Sequence, residues 1–374
     1  MRTTIAHTYL LDLQLPDGGI DALVDTTDSL WYCLARYCRE HHLLPLQMLT
    51  VAAGTGITSR VVCERSGLRW VFIPNRPWWK LKELLRLLPH VAMLQVHQIS
   101  FGNLLTVVAG KLTGAKVILA FLNDYGLDQY RVPTWLLKFV VHRFTDRVLT
   151  TTDLNRRRLA GALPGSFVIL NHGVDTSLFH PPASMETDNG RLHVLYIGRI
   201  TADKNVEDIV AGIARTKNKS RITAAFVGHQ YGTSDAYVNT LRHSLTEAGI
   251  TFEFPGYISH SCLPDYLAEK DVFVNMRKQE GFGKVFIEAM ACGKPVIGRT
   301  GSAGPEEIIH NDENGYLVEG PDELAARLDY LVENPATRLR LGQNARRDVE
   351  RKYSFETIYR EFCRIYDDLL HLNA

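Results

Sequence analysis

Two glutamates, Glu280 and Glu288, bracket the stretch Glu280-Gly281-Phe282-Gly283-Lys284-Val285-Phe286-Ile287-Glu288. The apolar run Asp271-Val272-Phe273-Val274-Asn275-Met276 precedes it and reads as a buried strand. Ala289-Met290-Ala291-Cys292-Gly293-Lys294-Pro295-Val296-Ile297 follows and reads as the rest of a helix, a turn and another strand. The glycines therefore fall where a strand passes into a helix N-terminus, whose unpaired N–H groups favour an anion such as phosphate. Glu288 lies about two helical turns beyond Glu280. Carboxylates beside an anion site make electrostatic sense when they address neutral hydroxyls. A sugar nucleotide offers both groups, diphosphate for the amides and hydroxyls for the acids.

A second cluster opens the latter half of the chain, in Val194-Leu195-Tyr196-Ile197-Gly198-Arg199-Ile200-Thr201-Ala202-Asp203-Lys204-Asn205. A strand ends at Gly198, and Arg199 and Lys204 follow in the loop and at the start of the next helix. Arginine offers a planar fork to phosphate oxygens and lysine a point charge. Together they could neutralise a diphosphate leaving group as its bond to a sugar breaks. The plainer reading is a surface pair at a helix start, although cations there oppose the macrodipole.

The elements that must position these groups follow a regular plan. A chain of 374 residues is longer than one core usually grows, so two domains are expected. Strand patterns at 3–9, 46–52, 70–73, 91–96, 116–120 and 147–150 alternate with helical ones, and so do those at 192–197, 222–227, 251–254, 272–275, 295–297 and 315–318. That alternation predicts two doubly wound parallel-sheet α/β domains, with ligands at the carboxyl ends of strands. The polar, turn-rich stretch at 179–190 reads as a linker between a domain at 1–178 and one at 191–354. Residues 355–370 read as a final helix with Ile358, Phe362, Ile365, Tyr366 and Leu369 on one face.

Composition narrows the class further. Apolar content of 45% and charged content of 22% fit an ordinary globular protein. Residues 1–178 hold 19 Lys/Arg against 13 Asp/Glu, and the remainder 23 against 28. This modest split points to an anionic surface or substrate near the first half rather than to nucleic acid. Six scattered cysteines without C-x-x-C spacing read as reduced thiols of a cytoplasmic protein. No signal peptide and no apolar run approaching ~20 residues is expected to direct or span a membrane.

Gly198-Arg199 with Lys204, the 280–288 segment, the run 289–297, Pro305-Glu306-Glu307-Ile308-Ile309, Glu313-Asn314-Gly315-Tyr316-Leu317-Val318 and Tyr353-Ser354-Phe355 resemble, in this order, a retaining glycosyltransferase of family 4. The resemblance implies the GT-B fold, two Rossmann-like domains facing a cleft, with residues 355–374 crossing back to the N-terminal domain. It implies transfer of a sugar from a UDP- or GDP-linked donor to an acceptor hydroxyl in glycan, glycolipid or glycoconjugate synthesis. It further implies catalytic roles for Arg199, Lys204 and Glu280. Donor contacts are implied for Gly198, Gly281, Phe282, Gly283, Lys284 and Glu288, the last on the ribose. No cofactor and no metal are implied, the nucleotide sugar being a co-substrate. On the N-terminal side, Gly18 and Gly19 resemble the family's Gly-Gly loop, and His97 a histidine-bearing strand end. Asn123 and Asp124 occupy the place of a His-Asp pair near the transferred sugar. Asn123 departs from that histidine, and an amide can hydrogen-bond a hydroxyl but cannot become cationic. Gly228-His229-Gln230-Tyr231 departs from the usual small-residue loop.

Two further stretches, at 76–88 and 135–144, mix tryptophans, leucines and basic residues at helical spacing. They could lie on anionic lipid at the inner face of a membrane, or pack on a sheet with a basic outer face. The acceptor is expected to be a glycan, a lipid-linked group or a small molecule. Rival readings are a nucleotide-sugar epimerase or phosphorylase on the same scaffold and a non-catalytic sugar-nucleotide-binding subunit.

Overall fold

A computed structural model describes residues 4–9, 35–36, 38–40, 46–52, 61–65, 68–74, 77–97, 99–122, 127, 130–182, 190–229 and 235–371. The chain divides into two compact units, Met1–Asn171 with Ile358–Ala374, and His172–Thr357. Val174 and Phe179 are buried with the second unit's core, which carries that unit's start ahead of the polar stretch at 179–190. Of that stretch, residues 183–189 lie outside the described residues.

The first unit holds strands β1 (Thr4–Tyr9), β2 (Leu46–Ala52), β3 (Val61–Arg65), β4 (Leu68–Pro74), β5 (Val91–His97), β6 (Lys116–Phe121), β7 (Arg147–Thr150) and β8 (Phe167–Ile169). They form one sheet in the order β3-β4-β2-β1-β5-β6-β7-β8. Every pairing is parallel except β3 with β4. Two strands were not predicted. β3 is an edge strand whose Val62 and Glu64 are exposed, so it lacks a run of buried residues. β8 is only Phe167–Ile169, at the other edge, too short for a periodic signal.

Helices Pro77–Leu87, Phe101–Leu112 and Thr134–Phe144 connect β4 to β5, β5 to β6 and β6 to β7. All three bury residues in one apolar cluster, through Leu84, Leu104, Val107, Leu137 and Val140, so they layer one face of the sheet. Right-handed crossovers advancing in one direction along a parallel sheet place them there. The chain's last helix, Phe355–His371, buries Ile358, Phe362, Ile365, Tyr366 and Leu369, and the Tyr366 hydroxyl donates to Gln95 Oε1 on β5 at 2.9 Å.

The second unit holds β9 (Leu192–Ile197), β10 (Ile222–Val227), β11 (Thr251–Gly256), β12 (Val272–Asn275), β13 (Val296–Arg299) and β14 (Gly315–Val318). Their order is β11-β10-β9-β12-β13-β14, all parallel. Successive side chains go to opposite faces. Val194, Tyr196, Val272, Val274 and Ile297 join one apolar cluster, while Leu195, Phe273 and Val296 join the other. Burial on both faces explains the near-continuous apolar runs of these strands. Each unit is thus built on one α/β sheet, all parallel in the second and parallel but for the β3–β4 pair in the first, as expected.

Candidate active site

The site in the second unit grows from the carboxyl ends of its central strands. At the end of β9, Gly198 has φ +157°, and a Cβ there would fall 2.7 Å from the Tyr196 hydroxyl. A Cβ on Gly228, after β10, would lie 1.9 Å from the Gly198 carbonyl oxygen. Only glycines let these two strand ends press together. The Gly198 N–H donates to Val227 O at 2.9 Å and the Ile200 N–H to His229 O at 3.0 Å. Tyr196 donates its hydroxyl to Arg199 O at 2.8 Å, fixing the turn from below. Burial, with the Glu280 charge next, holds this phenol well above its usual pKa.

The turn delivers Arg199 to solvent and Lys204 inward. Arg199 reaches Asp203 at 3.4 Å, and the Thr201 hydroxyl holds that carboxylate, keeping its pKa low. Lys204 ends the short turn Ala202–Lys204, and Asn205 behind it adopts φ 54° in the left-handed region. The Asn205 side-chain oxygen accepts the Lys278 N–H at 3.2 Å, joining this loop to the one after β12.

That second loop starts where Asn275 Oδ1 accepts the Arg277 N–H at 3.0 Å. The Arg277 guanidinium lies 3.4 Å from Glu280 and 3.6 Å from Asp203. Lys204 Nζ lies 3.7 Å from the other Glu280 oxygen, with both side chains largely buried. Three cations, Arg199, Lys204 and Arg277, thus face two carboxylates, Asp203 and Glu280, leaving an excess of positive charge. Burial lowers the Lys204 pKa; Glu280 opposes that shift, while Arg277 and Arg199 add to it. The separations exceed those of charge-assisted hydrogen bonds, so the groups attract without being locked together.

Glu280 is held by its backbone. Its N–H donates to Ser302 Oγ and its carbonyl accepts the Gly304 N–H, both at 2.8 Å. Gly283 has φ +79° and opens the helix Lys284–Ala291. Gly281 and Phe282 are buried, and Gly283 and Lys284 half-buried. The Phe282 ring packs edge-on against His172 and Tyr353, anchoring the turn in the core. Further along the helix, Glu288 sits in the buried run Phe286, Ile287, Ala289, Met290 and Ala291. Its carboxylate meets His260 Nε2 at 3.1 Å, and the His260 ring lies on Phe179 with centroids 5.0 Å apart.

The structure therefore brings Arg199, Lys204 and Glu280 together and places Glu288 on the helix that the glycine turn starts. Arg277, Ser302 and His260 join them and were not predicted from sequence. Arg277 directly follows a predicted strand end, a position that could have flagged it. His260 and Ser302 come from distant loops and leave no local signal. In the first unit, His97 ends β5 fully buried, where burial pushes its pKa down to about 4. Its ring meets Gln95 Nε2 at 3.2 Å and its carbonyl accepts from Asn103 at 2.9 Å. Gly18, Gly19, Asn123 and Asp124 lie outside the described residues, as do Gln230 and Tyr231. His229 stacks on Tyr257 with centroids 4.4 Å apart. Among the described residues no cluster of His, Cys, Asp and Glu could hold a metal ion.

Residues 182–348 match the family described as Glycosyl transferases group 1. The lipopolysaccharide core biosynthesis mannosyltransferase LpsB of Rhizobium meliloti (strain 1021) is 26% identical over 244 residues, covering 62% of this chain and 68% of that protein. For spore coat protein SA of Bacillus subtilis (strain 168) the identity is 25%, covering 52% of this chain and 57% of the relative. The chain thus spans about half to two thirds of the length of these curated relatives. Among solved structures, Anabaena HepE in complex with UDP superposes with TM-score 0.79 at 17% identity, covering 98% of this chain and all of that one. The likeness to the solved structure supports the GT-B fold for the chain, and residues 182–348 carry the similarity to group 1 glycosyl transferases.

Proposed function

We propose that this chain moves a sugar from a nucleotide diphosphate sugar, UDP- or GDP-linked, to an acceptor hydroxyl with the anomeric configuration retained. The observation that carries the reading is the convergence of Lys204 and Arg277 on Glu280 at the glycine turn that starts a helix. Cations and helix amides suit a diphosphate, and a carboxylate held among them suits sugar hydroxyls. The UDP bound in the HepE structure and the mannosyltransferase name of the LpsB relative fit a donor of this class.

In this mechanism the donor bond loosens first, and Arg199, Lys204 and Arg277 stabilise the charge gathering on the departing diphosphate. Their positions are fixed by the Tyr196, Asn205 and Asn275 hydrogen bonds, so little reorganisation is needed as charge develops. Glu280 accepts hydrogen bonds from the transferred sugar and orients it, and Glu288 serves the ribose with the oxygen that His260 does not hold. The acceptor enters on the face the diphosphate leaves, and the phosphate oxygen takes its proton. No protein nucleophile is assigned. The acceptor class is a glycan, a lipid-linked group or a small molecule.

The test begins with a thermal-shift screen of UDP, GDP, ADP and their sugars, since ligand binding raises the melting point by mass action. Incubation of the best donor with candidate acceptors, followed by proton NMR of the product's anomeric signal, reads retention directly. An inverted anomer would refute the mechanism. Turnover without acceptor or dependence on inorganic phosphate would replace it with an epimerase or phosphorylase.

A further inference from the structure

The three helices that layer one face of the first sheet carry an outer surface that water does not explain. Leu85, Phe101, Leu105, Leu112, Trp135 and Phe139 are all more than half exposed. Their spacing is helical. Phe101, Leu105 and Leu112 recur on the outward side of Phe101–Leu112, whose inward side buries Leu104, Val107 and Ala109. That helix is apolar on both sides, unlike the polar outer face of an ordinary surface helix. Trp135, Lys138, Phe139 and His142 recur in the same way on Thr134–Phe144, whose buried side is Leu137, Val140 and Val141. The middle helix packs against both of its neighbours, so the exposed groups form one surface rather than scattered single residues.

Among the described residues, the exposed charge on these three helices has one sign. Lys82, Arg86, Lys138 and Arg143 are exposed on the outer helices. The three helices contain a single carboxylate, Glu83, and it is buried. No helix among the described residues is long and apolar enough to cross a membrane, so the surface could only lie on one. A second copy of the chain packed here about a twofold axis would set these cations against themselves. Anionic lipid headgroups meet the cations instead, while the tryptophan, phenylalanines and leucines enter the acyl boundary.

From this geometry we infer that the outer face of Pro77–Leu87, Phe101–Leu112 and Thr134–Phe144 docks on an anionic lipid bilayer. The surface lies outside the donor site and is read independently of the proposed transfer reaction, so its test needs no turnover. Aromatic side chains supply the grip and basic ones the preference for negative headgroups, which makes binding sensitive to both salt and lipid charge.

The full chain is floated with vesicles of pure phosphatidylcholine and of phosphatidylcholine with a third phosphatidylglycerol. The bound fraction should be at least ~10-fold higher on the anionic vesicles at low salt and fall as salt is raised. Trp135→Ser combined with Phe139→Ser should cut anionic binding by ~10-fold or more. Lys138→Glu with Arg143→Glu should abolish the preference for phosphatidylglycerol. Both double variants change exposed positions and should keep the wild-type melting point and nucleotide-induced thermal shift, which shows that they fold. Absence of wild-type flotation on either vesicle, or unchanged flotation of the Trp135 and Phe139 variant, overturns the inference. A dimer in light scattering that this variant dissolves would overturn it too, by assigning the surface to a second copy.

Discussion

Replacing Lys204 with alanine probes the charge cluster most directly. Its ammonium lies 3.7 Å from Glu280, in company with Arg277 and Arg199. A unit charge at about that distance interacts with another by ~4 to 5 kcal/mol at an effective dielectric of ~20, before solvation is set against it. Loss of one preorganised charge-stabilising group typically costs ~3 to 4 kcal/mol in the transition state, or ~10²–10³ in rate. The cluster's positive excess disappears with Lys204, so we predict a fall of ~10²-fold or more in kcat with the best nucleotide sugar. Folding should survive, because Glu280 keeps Arg277 at 3.4 Å and no buried charge is left alone. The assay follows nucleotide diphosphate release against donor concentration, separating kcat from KM, with the melting point as the control for folding. Lys204→Arg should recover part of the rate. A Lys204→Ala enzyme with kcat within threefold of wild type would refute the assignment of diphosphate stabilisation to this cluster.

Other outcomes follow from the same geometry. Glu280→Ala should raise KM for the nucleotide sugar while leaving nucleotide diphosphate affinity equal or higher, since it removes a negative charge beside Lys204 and Arg277; calorimetry showing lost nucleotide binding would reassign Glu280. The lowered Lys204 pKa sets a pH window, between its folded value and the ordinary lysine value. Across it the folded protein has released a proton that the unfolded chain still holds, so this group alone makes stability rise with pH. Diphosphate affinity should fall over the same rise as the ammonium is lost, and Lys204→Ala should show no such limb in binding titrations. Gly283→Ala should cost on the order of 2 kcal/mol, because φ +79° disfavours a Cβ and that atom would sit 2.8 Å from the Phe286 ring. Denaturant titration measures it, and an unchanged midpoint would mean that the turn relaxes freely. Finally, transfer should persist in excess EDTA, with the three cations stabilising the leaving group; full loss restored by a divalent ion would show that they do not suffice.

Much of the architecture was legible in the sequence because parallel strands buried on both faces leave apolar runs. All six predicted strands of the second unit overlap observed ones, with the edge strand reaching Gly256 rather than residue 254 and the strand expected at 295–297 running over Val296–Arg299. β3 and β8 were not legible, since an exposed edge and a three-residue strand carry no periodic burial. The cluster of Arg199, Lys204 and Glu280 was accessible because Arg199 follows the strand-end Gly198, Lys204 lies in the same loop, and Glu280 opens the glycine-rich turn that starts a helix. Arg277 lies in the polar run Arg277-Lys278-Gln279, which by composition reads as a solvated loop and so gives no sign of its place beside Glu280. His260 was hidden for another reason. Its partner Glu288 is 28 positions away, and only the fold of the second sheet brings them within 3.1 Å.

The bond between Asn205 and the Lys278 backbone has a practical consequence for redesign. It splices the segment bearing Lys204 to the segment bearing Glu280, and Asn205 holds a left-handed backbone to reach across. Grafting either segment alone from another enzyme would cut the splice and misalign the other. Segment exchanges that probe the sugar role proposed for Glu280 should therefore transplant both segments as one cassette.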